Sequence, residues 1–386
     1  MDSVYFSPEH ELFRDQIRRF VGAEVRPNAD AWEAAGEIPR EVFRRMGELG
    51  FLGARYDEEY GGAGMDVFAS LVLGEELGRA GLSGFAAAVL VHTDMASPHL
   101  ARSGTPAQKA RYLPGIIAGE TVTAIAVTEP GAGSDVAGLT TRAEASGNGW
   151  VLNGAKLYIT NGVLADLYFV AARSDPRAKP SRGLSIFIVE KGTPGFEVAR
   201  KLDKLGWLCS DTAELQIEDC HLPADALLGE AGRGFHQFMA NFQNERLVMG
   251  AMTVGEAERA IEITLEHVRT RRAFGAPLWD KQAVRHKLAH CATRVEAARH
   301  LVNHTAWLDA KGRDCVREVS MVKVFCAAMV QEVADTCLQL HGGSGYMRGM
   351  EIERLYRDVR IHSIGGGASE VMLDEIAKRM PNHGEE

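Results

Sequence analysis

The chain has 386 residues, 46% hydrophobic and 25% charged, which is enough for two or three domains around a large core. Its formal net charge of -9 argues against nucleic acid or an anionic membrane as the main partner, while leaving room for a local basic pocket. Cys209, Cys220, Cys291, Cys315, Cys326 and Cys337 have neither CxxC nor metal-type spacing, so they read as free thiols rather than as a disulfide framework or metal site.

The N-terminal stretch MDSVYFSPEHELFRDQ is acidic and amphipathic. It lacks the basic and apolar blocks of a secretory signal and is too acidic for a transit peptide. A cytoplasmic protein is expected, or a mitochondrial-matrix one after removal of a transit peptide. No apolar run approaches the roughly 18 residues of a membrane span.

Ser7-Pro8 followed by Glu9 predicts a helix start, with Leu12, Phe13, Ile17, Phe20 and Val21 on one face. Ile38-Pro39 opens a second helix that stops at Leu49-Gly50. After the Gly-rich turn YDEEYGGAGMD, helices are expected over 67–77, 85–100 and 106–117. From Thr121 to about residue 222 the pattern changes to short, alternating, β-branched segments such as TVTAIAVT, GWVLNGAKLYIT and LSIFIVE. These predict an antiparallel β-barrel or sandwich, with 174–181 as an exposed loop. Helices return over 234–270, 280–310 and 313–340, with two shorter ones around Glu351 and Ser369. The expected fold is therefore α+β: a helical domain over 1–122, a β-domain over 123–231, and a helical bundle of four-helix type over 232–386.

Within the first long C-terminal helix, Phe238, Phe242, Met249 and Met252 form one stripe, and Glu245 lies on it. A carboxylate on an apolar face is costly unless paired. One reading is a buried Glu245–Arg246 pair tying helices together. The other is a general base whose pKa is raised by desolvation.

Five further segments carry chemistry-bearing residues. IAVTEPGAGSD (125–135) places Gly131 and Gly133 where backbone can approach a phosphate or planar ring; it fails as a dinucleotide fingerprint because Val136 replaces the third Gly. In KLYITNG, Tyr158 and Thr160 share a strand face. TRRAFGAPL with Gln282 puts Arg271 within reach of a diphosphate or at a helix C-terminus. QLHGGSGY ends the third long helix, and RDVRIHSIGGGASE places Gly365 to Gly367 before a helix, where free amides can hold an anion or carbonyl oxygen.

In this order, TEPGAGSD, YITNG, RRAFG with its Gln, QLHGG-GY and RD…GG-SE resemble the motifs of the acyl-CoA dehydrogenase family along essentially the whole chain. The resemblance implies an FAD-dependent enzyme, usually a homotetramer, that forms a trans-2-enoyl-CoA from an acyl-CoA and passes electrons to an electron-transfer flavoprotein. It implies that Ile125, Ala126, Val127, Thr128, Tyr158, Ile159 and Thr160 meet the isoalloxazine. Gly133, Ser134, Arg271, Phe274, Gln282 and Gln339, Leu340, His341, Gly342 and Gly343 would meet the diphosphate and adenine end, part of them from a neighbouring subunit. Ala368, Ser369 and Glu370 belong to the last cofactor-binding segment; Ala368 stands where the family usually has Thr or Ser. The family's base is mostly a glutamate at the position of Gly366. Its long-chain and isovaleryl branches carry the base in an xER segment instead, and Asn244-Glu245-Arg246 is similar to it. Glu245 is then the α-proton base and the Gly366 N–H holds the thioester oxygen. Ser134, Gln243, Asn244, Arg246, Gly365 and Gly367 are the expected substrate contacts, and Gly365, in place of a Tyr, implies room for a wide or branched acyl group. The alternatives are an acyl-CoA oxidase, a relative of the same fold with other chemistry, and a non-catalytic acyl-CoA-binding protein.

Overall fold

The computed structural model describes residues 4–380, so the outermost residues of the first and last expected domains lie outside the described residues. Seven helices come first: α1 (Pro8–Phe20), α2 (Ala29–Ala35), α3 (Arg40–Glu48), α4 (Val67–Gly78), α5 (Ser83–Leu90), α6 (Pro98–Ser103) and α7 (Pro106–Ile117). Ser7 caps α1, and the reciprocal partner of the capping box is His10. The short α2 was not foreseen. The single helix expected over 85–100 is two helices joined by a π-helical turn, Val91–Ala96. Pro98 is the cause. It has no N–H to give the carbonyl of Asp94 four residues earlier, so the regular ladder cannot run through.

Strands follow: β1 (Thr123–Ala126), β2 (Arg142–Ser146), β3 (Gly149–Thr160), β4 (Leu167–Arg173), β5 (Leu184–Glu190), β6 (Phe196–Lys201), β7 (Thr212–Pro223) and β8 (Leu227–Leu228). They form one sheet in the order β6-β7-β3-β2-β4-β5-β8, with β1 also on β4. Two expectations need correction. The sheet is mixed, because β1 runs parallel to β4 with Thr123 opposite Leu167. It is also open rather than a closed barrel. Alternation has the same period in parallel and antiparallel strands, so direction and closure are not written in it. Both faces of β4 and β5 are covered: Leu167, Phe169, Ile186 and Ile188 pack with Leu113, Ile116 and Phe238 of the helices, while Tyr168, Val170, Phe187 and Val189 pack with Leu152 and Leu215.

The C-terminal part comprises α8 (Gly234–Thr270), a hairpin of β9 (Arg272–Ala273) and β10 (Ala276–Pro277), α9 (Gln282–Ala310), α10 (Val316–His341), α11 (Glu351–Asp358) and α12 (Ser369–Ala377). The hairpin was not foreseen. Phe274 and Gly275 both have positive φ, as a two-residue turn of this kind needs. The axis of the molecule is α8, which packs on α10, α9 and α4. Its approach to α4 is so close that a Cβ at Gly255 would lie 2.0 Å from the Glu75 carbonyl oxygen.

Candidate active site

Glu245 sits in the fourth turn of α8 and is 7% exposed. Its Oε1 accepts a hydrogen bond from Asn241 Nδ2 at 3.1 Å. No ion pair reaches it among the described residues. Burial pushes its carboxyl up to about 7; Asn241 and the charges of Arg246 and Arg102 pull the other way without cancelling that effect.

Its neighbour Arg246 does not pair with it. The Arg246 Nε donates to the Gly366 carbonyl at 3.3 Å, and the guanidinium lies 5.5 Å from the Phe242 ring centroid. The structural Glu–Arg pair is therefore not formed. Arg246 instead ties α8 to the triglycine turn. Gly366 (φ +67) and Gly367 (φ +109) adopt backbone conformations that favour glycine, and a Cβ at Gly366 would be 2.8 Å from Met249 Sδ. Met249 is one helical turn from Glu245, so the turn lies alongside the carboxylate. Lys323 Nζ anchors the approach to this turn by donating to the His362 carbonyl. The Gly366 N–H has no acceptor among the described residues. At Gly365 a Cβ would meet only Ile361, at an ordinary 3.6 Å. Ala368 occupies the N-cap of α12 and offers no side-chain bond to the amides of the first turn, where Ser369 and Glu370 stand.

Two expected substrate contacts have partners within the chain. Asn244 is buried and engaged elsewhere: its Nδ2 donates to the Asp94 carbonyl and carboxylate, and its Oδ1 accepts from Arg55 Nη1. Gln243 turns to Cys315 at the start of α10, on the far side of α8 from Glu245. A cavity of about 430 Å³ is lined by His99, Arg102, Arg233, His236 and Gln237 among others; its Arg102 also donates to Asn241, the hydrogen-bond partner of Glu245.

The loop after β1 is braced from beneath. Lys156, fully buried, donates to the Val127 carbonyl at 3.0 Å and to Glu129 Oε1 at 2.8 Å. Glu129 also accepts from Thr140 N and Oγ1 and from Thr141 N. Burial opposes its ionisation, but the Lys156 charge and these bonds outweigh it and hold the carboxyl at about 2. The Leu157 N–H donates to the Thr128 carbonyl at 2.8 Å, and β3 bulges between Lys156 and Ile159. In that bulge Tyr158 has φ 62 and is 66% exposed. Strain of this sort persists only where the surroundings enforce it. Ala126 and Ile159 point into the sheet core, so their side chains face away from the open side shared by Tyr158 and Thr160; Ile125, Val127 and Thr128 are half-buried. A Cβ at Gly131 or Gly133 would meet nothing within 4 Å, and Ser134 is exposed beside them.

The third group lies at the other end of α8. Arg271 and Gln282 are exposed, Phe274 is 96% exposed, and Gln339, Gly342 and Gly343 are exposed at the end of α10. Leu340 is half-buried, and His341 is taken up by a stack on His267 at 4.2 Å. About 38 Å of helix separates Glu245 from Thr270, farther than one extended flavin dinucleotide reaches. The structure thus brings Glu245, Arg246 and Gly365 to Gly367 together and places Arg271, Phe274, Gln282 and 339–343 apart from them. Sequence reading missed Asn241 and Arg102 around Glu245, and the Lys156–Glu129 pair. A Lys on a strand inside YITNG's own segment was the available signal for the pair.

Known families resolve what this layout is. The acyl-CoA dehydrogenase N-terminal, middle and C-terminal domain models match residues 7–120, 124–220 and 232–381. The chain belongs to the acyl-CoA dehydrogenase family. It is 40% identical over 376 residues to the mitochondrial long-chain specific acyl-CoA dehydrogenase of Mus musculus, covering 97% of this chain and 87% of that one. Among solved structures, an acyl-CoA dehydrogenase from Geobacillus kaustophilus superposes with a TM-score of 0.94 at 42% identity, covering 99% of this chain and 100% of that one. A glutaryl-CoA dehydrogenase from Mycobacterium smegmatis in complex with FADH2 superposes with a TM-score of 0.91 at 30% identity, covering 97% of this chain and 95% of that one.

Proposed function

We infer that this acyl-CoA dehydrogenase carries out FAD-dependent α,β-dehydrogenation of an acyl-CoA thioester with Glu245 as the α-proton base, on domains bounded at 122/123 and 231/232. The observation that carries the reading is a buried carboxylate that, among the described residues, has no ion pair and lies beside a glycine turn whose amide has no acceptor. The chain's residues fit the cofactor: an exposed aromatic held in a strained bulge, open space over Gly131 and Gly133, and uncapped amides at the start of α12. Tyr158, Thr160, Thr128, Gly133, Ser134 and the Ala368 to Glu370 segment would hold it from one chain. Arg271, Phe274, Gln282 and Gln339 to Gly343 would hold the cofactor of a second copy, because they lie too far from Glu245 to share one with it. That supports a homo-oligomer, a homotetramer as in the family. When bound, FAD supplies the acceptor for the hydride leaving Cβ.

The rest falls to the polypeptide. The Gly366 N–H donates to the thioester oxygen as negative charge develops there, and stabilising that charge is the larger requirement for so weak a carbon acid. Glu245 takes the α-proton; with its carboxyl near 7 it is a stronger base than an exposed glutamate, about half ionised at neutral pH and largely ionised above it. Phe238, Phe242 and Met249 exclude water around it. Gly365 leaves space where a Tyr would stand, so the substrate class is a long or branched acyl-CoA. Electron-transfer flavoprotein is the proposed electron acceptor and the cytoplasm the proposed location; no helix of the described residues is long and apolar enough to cross a membrane. The relatives reported above are named dehydrogenases, which disfavours oxygen as the physiological acceptor.

Anaerobic addition of straight, branched and aromatic acyl-CoAs, followed by flavin absorbance, tests this reading. Rapid bleaching by a long or branched member is expected. A colourless protein that takes up no FAD, or a yellow one that no acyl-CoA bleaches, would overturn it.

A further inference from the structure

Asn241 lies one turn before Glu245 on the same face of α8 and is 1% exposed. Its Nδ2 donates to the Asp94 carbonyl at 3.1 Å, to the Met95 carbonyl at 3.0 Å and to Glu245 Oε1 at 3.1 Å. Its Oδ1 accepts from Arg102 Nη1 at 3.0 Å. Only one orientation of the amide satisfies these partners. Turned over, its oxygen would face two carbonyls and a carboxylate, and its NH2 would face a guanidinium.

The acceptors on the far side are there for a local reason. Pro98 lacks the N–H that would bond the Asp94 carbonyl, and the π-helical turn leaves that oxygen free. A buried free carbonyl needs a donor. Asn241 and Asn244 supply it from α8. The break in the N-terminal helices therefore fixes the side chain that touches the proposed base.

We propose that Asn241 is a positioning residue for the dehydrogenation: held by Asp94, Met95 and Arg102, it keeps the Glu245 carboxylate in one rotamer and in its ionised form. This rests on Glu245 being the base. The charged groups that act on the carboxylate are Arg246 on α8, Arg102 on α6 and Asp94 on the π-helical turn, with Arg55 4.0 Å behind Asp94; the nearby His99 of α6 packs edge-on against Phe238. Asp94 pushes the Glu245 carboxyl up, Arg246 and Arg102 pull it down, and His99 is kept neutral by burial, at about 3. Among the described residues, Asn241 contributes the one direct hydrogen bond to the carboxylate.

The experiment is a pH profile of anaerobic flavin reduction by the best acyl-CoA, in the FAD-loaded wild type and in Asn241→Ala, Asn241→Asp and Arg102→Met. A second readout is the infrared titration of the protonated carboxyl band that Glu245→Gln removes. Losing the bond should move the acid limb and the carboxyl band up together by roughly one pH unit in Asn241→Ala. The acyl-CoA dissociation constant should stay within about twofold, since no direct substrate contact is lost. Asn241→Asp should move both farther, because it places a second carboxylate beside Glu245. It keeps the volume and can pair with Arg102, so it guards against Ala failing to fold. Arg102→Met should move them less than Asn241→Ala, because Asp94 and Met95 still orient the amide. Limb and band unmoved in folded Asn241→Ala and Asn241→Asp would overturn the proposal while leaving the base assignment intact. Flavin reduction surviving in Glu245→Gln would instead remove the base assignment, and the proposal with it.

Discussion

Replacing Glu245 with Gln separates a base from a structural carboxylate, because the structure predicts opposite effects on rate and stability. The Gln amide has nearly the same volume, and its oxygen can still accept from Asn241 Nδ2. No ion pair is broken, since Arg246 is engaged by Gly366. The glutamate's carboxyl is raised from 4.5 to about 7 in the folded chain. The folded state therefore holds its proton more tightly than the unfolded state. Stability falls as pH rises from the unfolded value to the folded one, and the ionised group is a fixed penalty above it. At about 1.4 kcal/mol per pH unit, that penalty is roughly 3 kcal/mol at pH 8. Glu245→Gln should thus be more stable than wild type at pH 8 by roughly 2–4 kcal/mol, with the difference fading below pH 5. Flavin reduction should fall by roughly 10²–10⁴-fold. The assay is denaturant unfolding at pH 5 and pH 8 beside stopped-flow flavin reduction under argon. A variant that loses stability at pH 8 and turns over at the wild-type rate would refute the reasoning at both points.

Glu129→Gln leaves the Lys156 ammonium buried without its counter-charge, so unfolding free energy should drop by about 3–5 kcal/mol and FAD retention should weaken. Adding Lys156→Met should recover much of that loss in a double-mutant cycle. Ala368→Thr gives α12 the cap it lacks and should stabilise by about 0.5–2 kcal/mol, read as slower amide exchange in the first turn of α12; unchanged exchange would show that the cap does not form. Gly365→Tyr has backbone room, and it should cut turnover of the best long or branched acyl-CoA more than that of butanoyl-CoA; equal losses would mean that position 365 does not shape the pocket.

Local sequence determined the order of helices and strands, the three-part division, and the apolar stripe that makes Glu245 conspicuous. Periodicity and capping are properties of neighbours in the chain, so they are legible in it. The family motifs added the chemistry, because each is a short run whose residues act together. What only the tertiary structure decided is every relation between segments far apart in sequence. Strand alternation reads the same in either direction, so the parallel β1–β4 pairing had to be seen. Glu245 and Arg246 are adjacent in sequence, yet their side chains diverge because Gly366, 120 residues later, offers Arg246 a carbonyl. The resemblance makes Asn244 an expected substrate contact, whereas packing against the π-helical turn turns its amide to Asp94. Asn241 carried no sequence signal, because its partners come from a helix break some 147 residues earlier. The distance from Glu245 to Arg271 was implicit in the length of α8, but only the continuous helix of the folded chain keeps the two about 38 Å apart. Burial, which turns an ordinary glutamate into one that titrates near 7, is a property of the packed chain and of no segment within it.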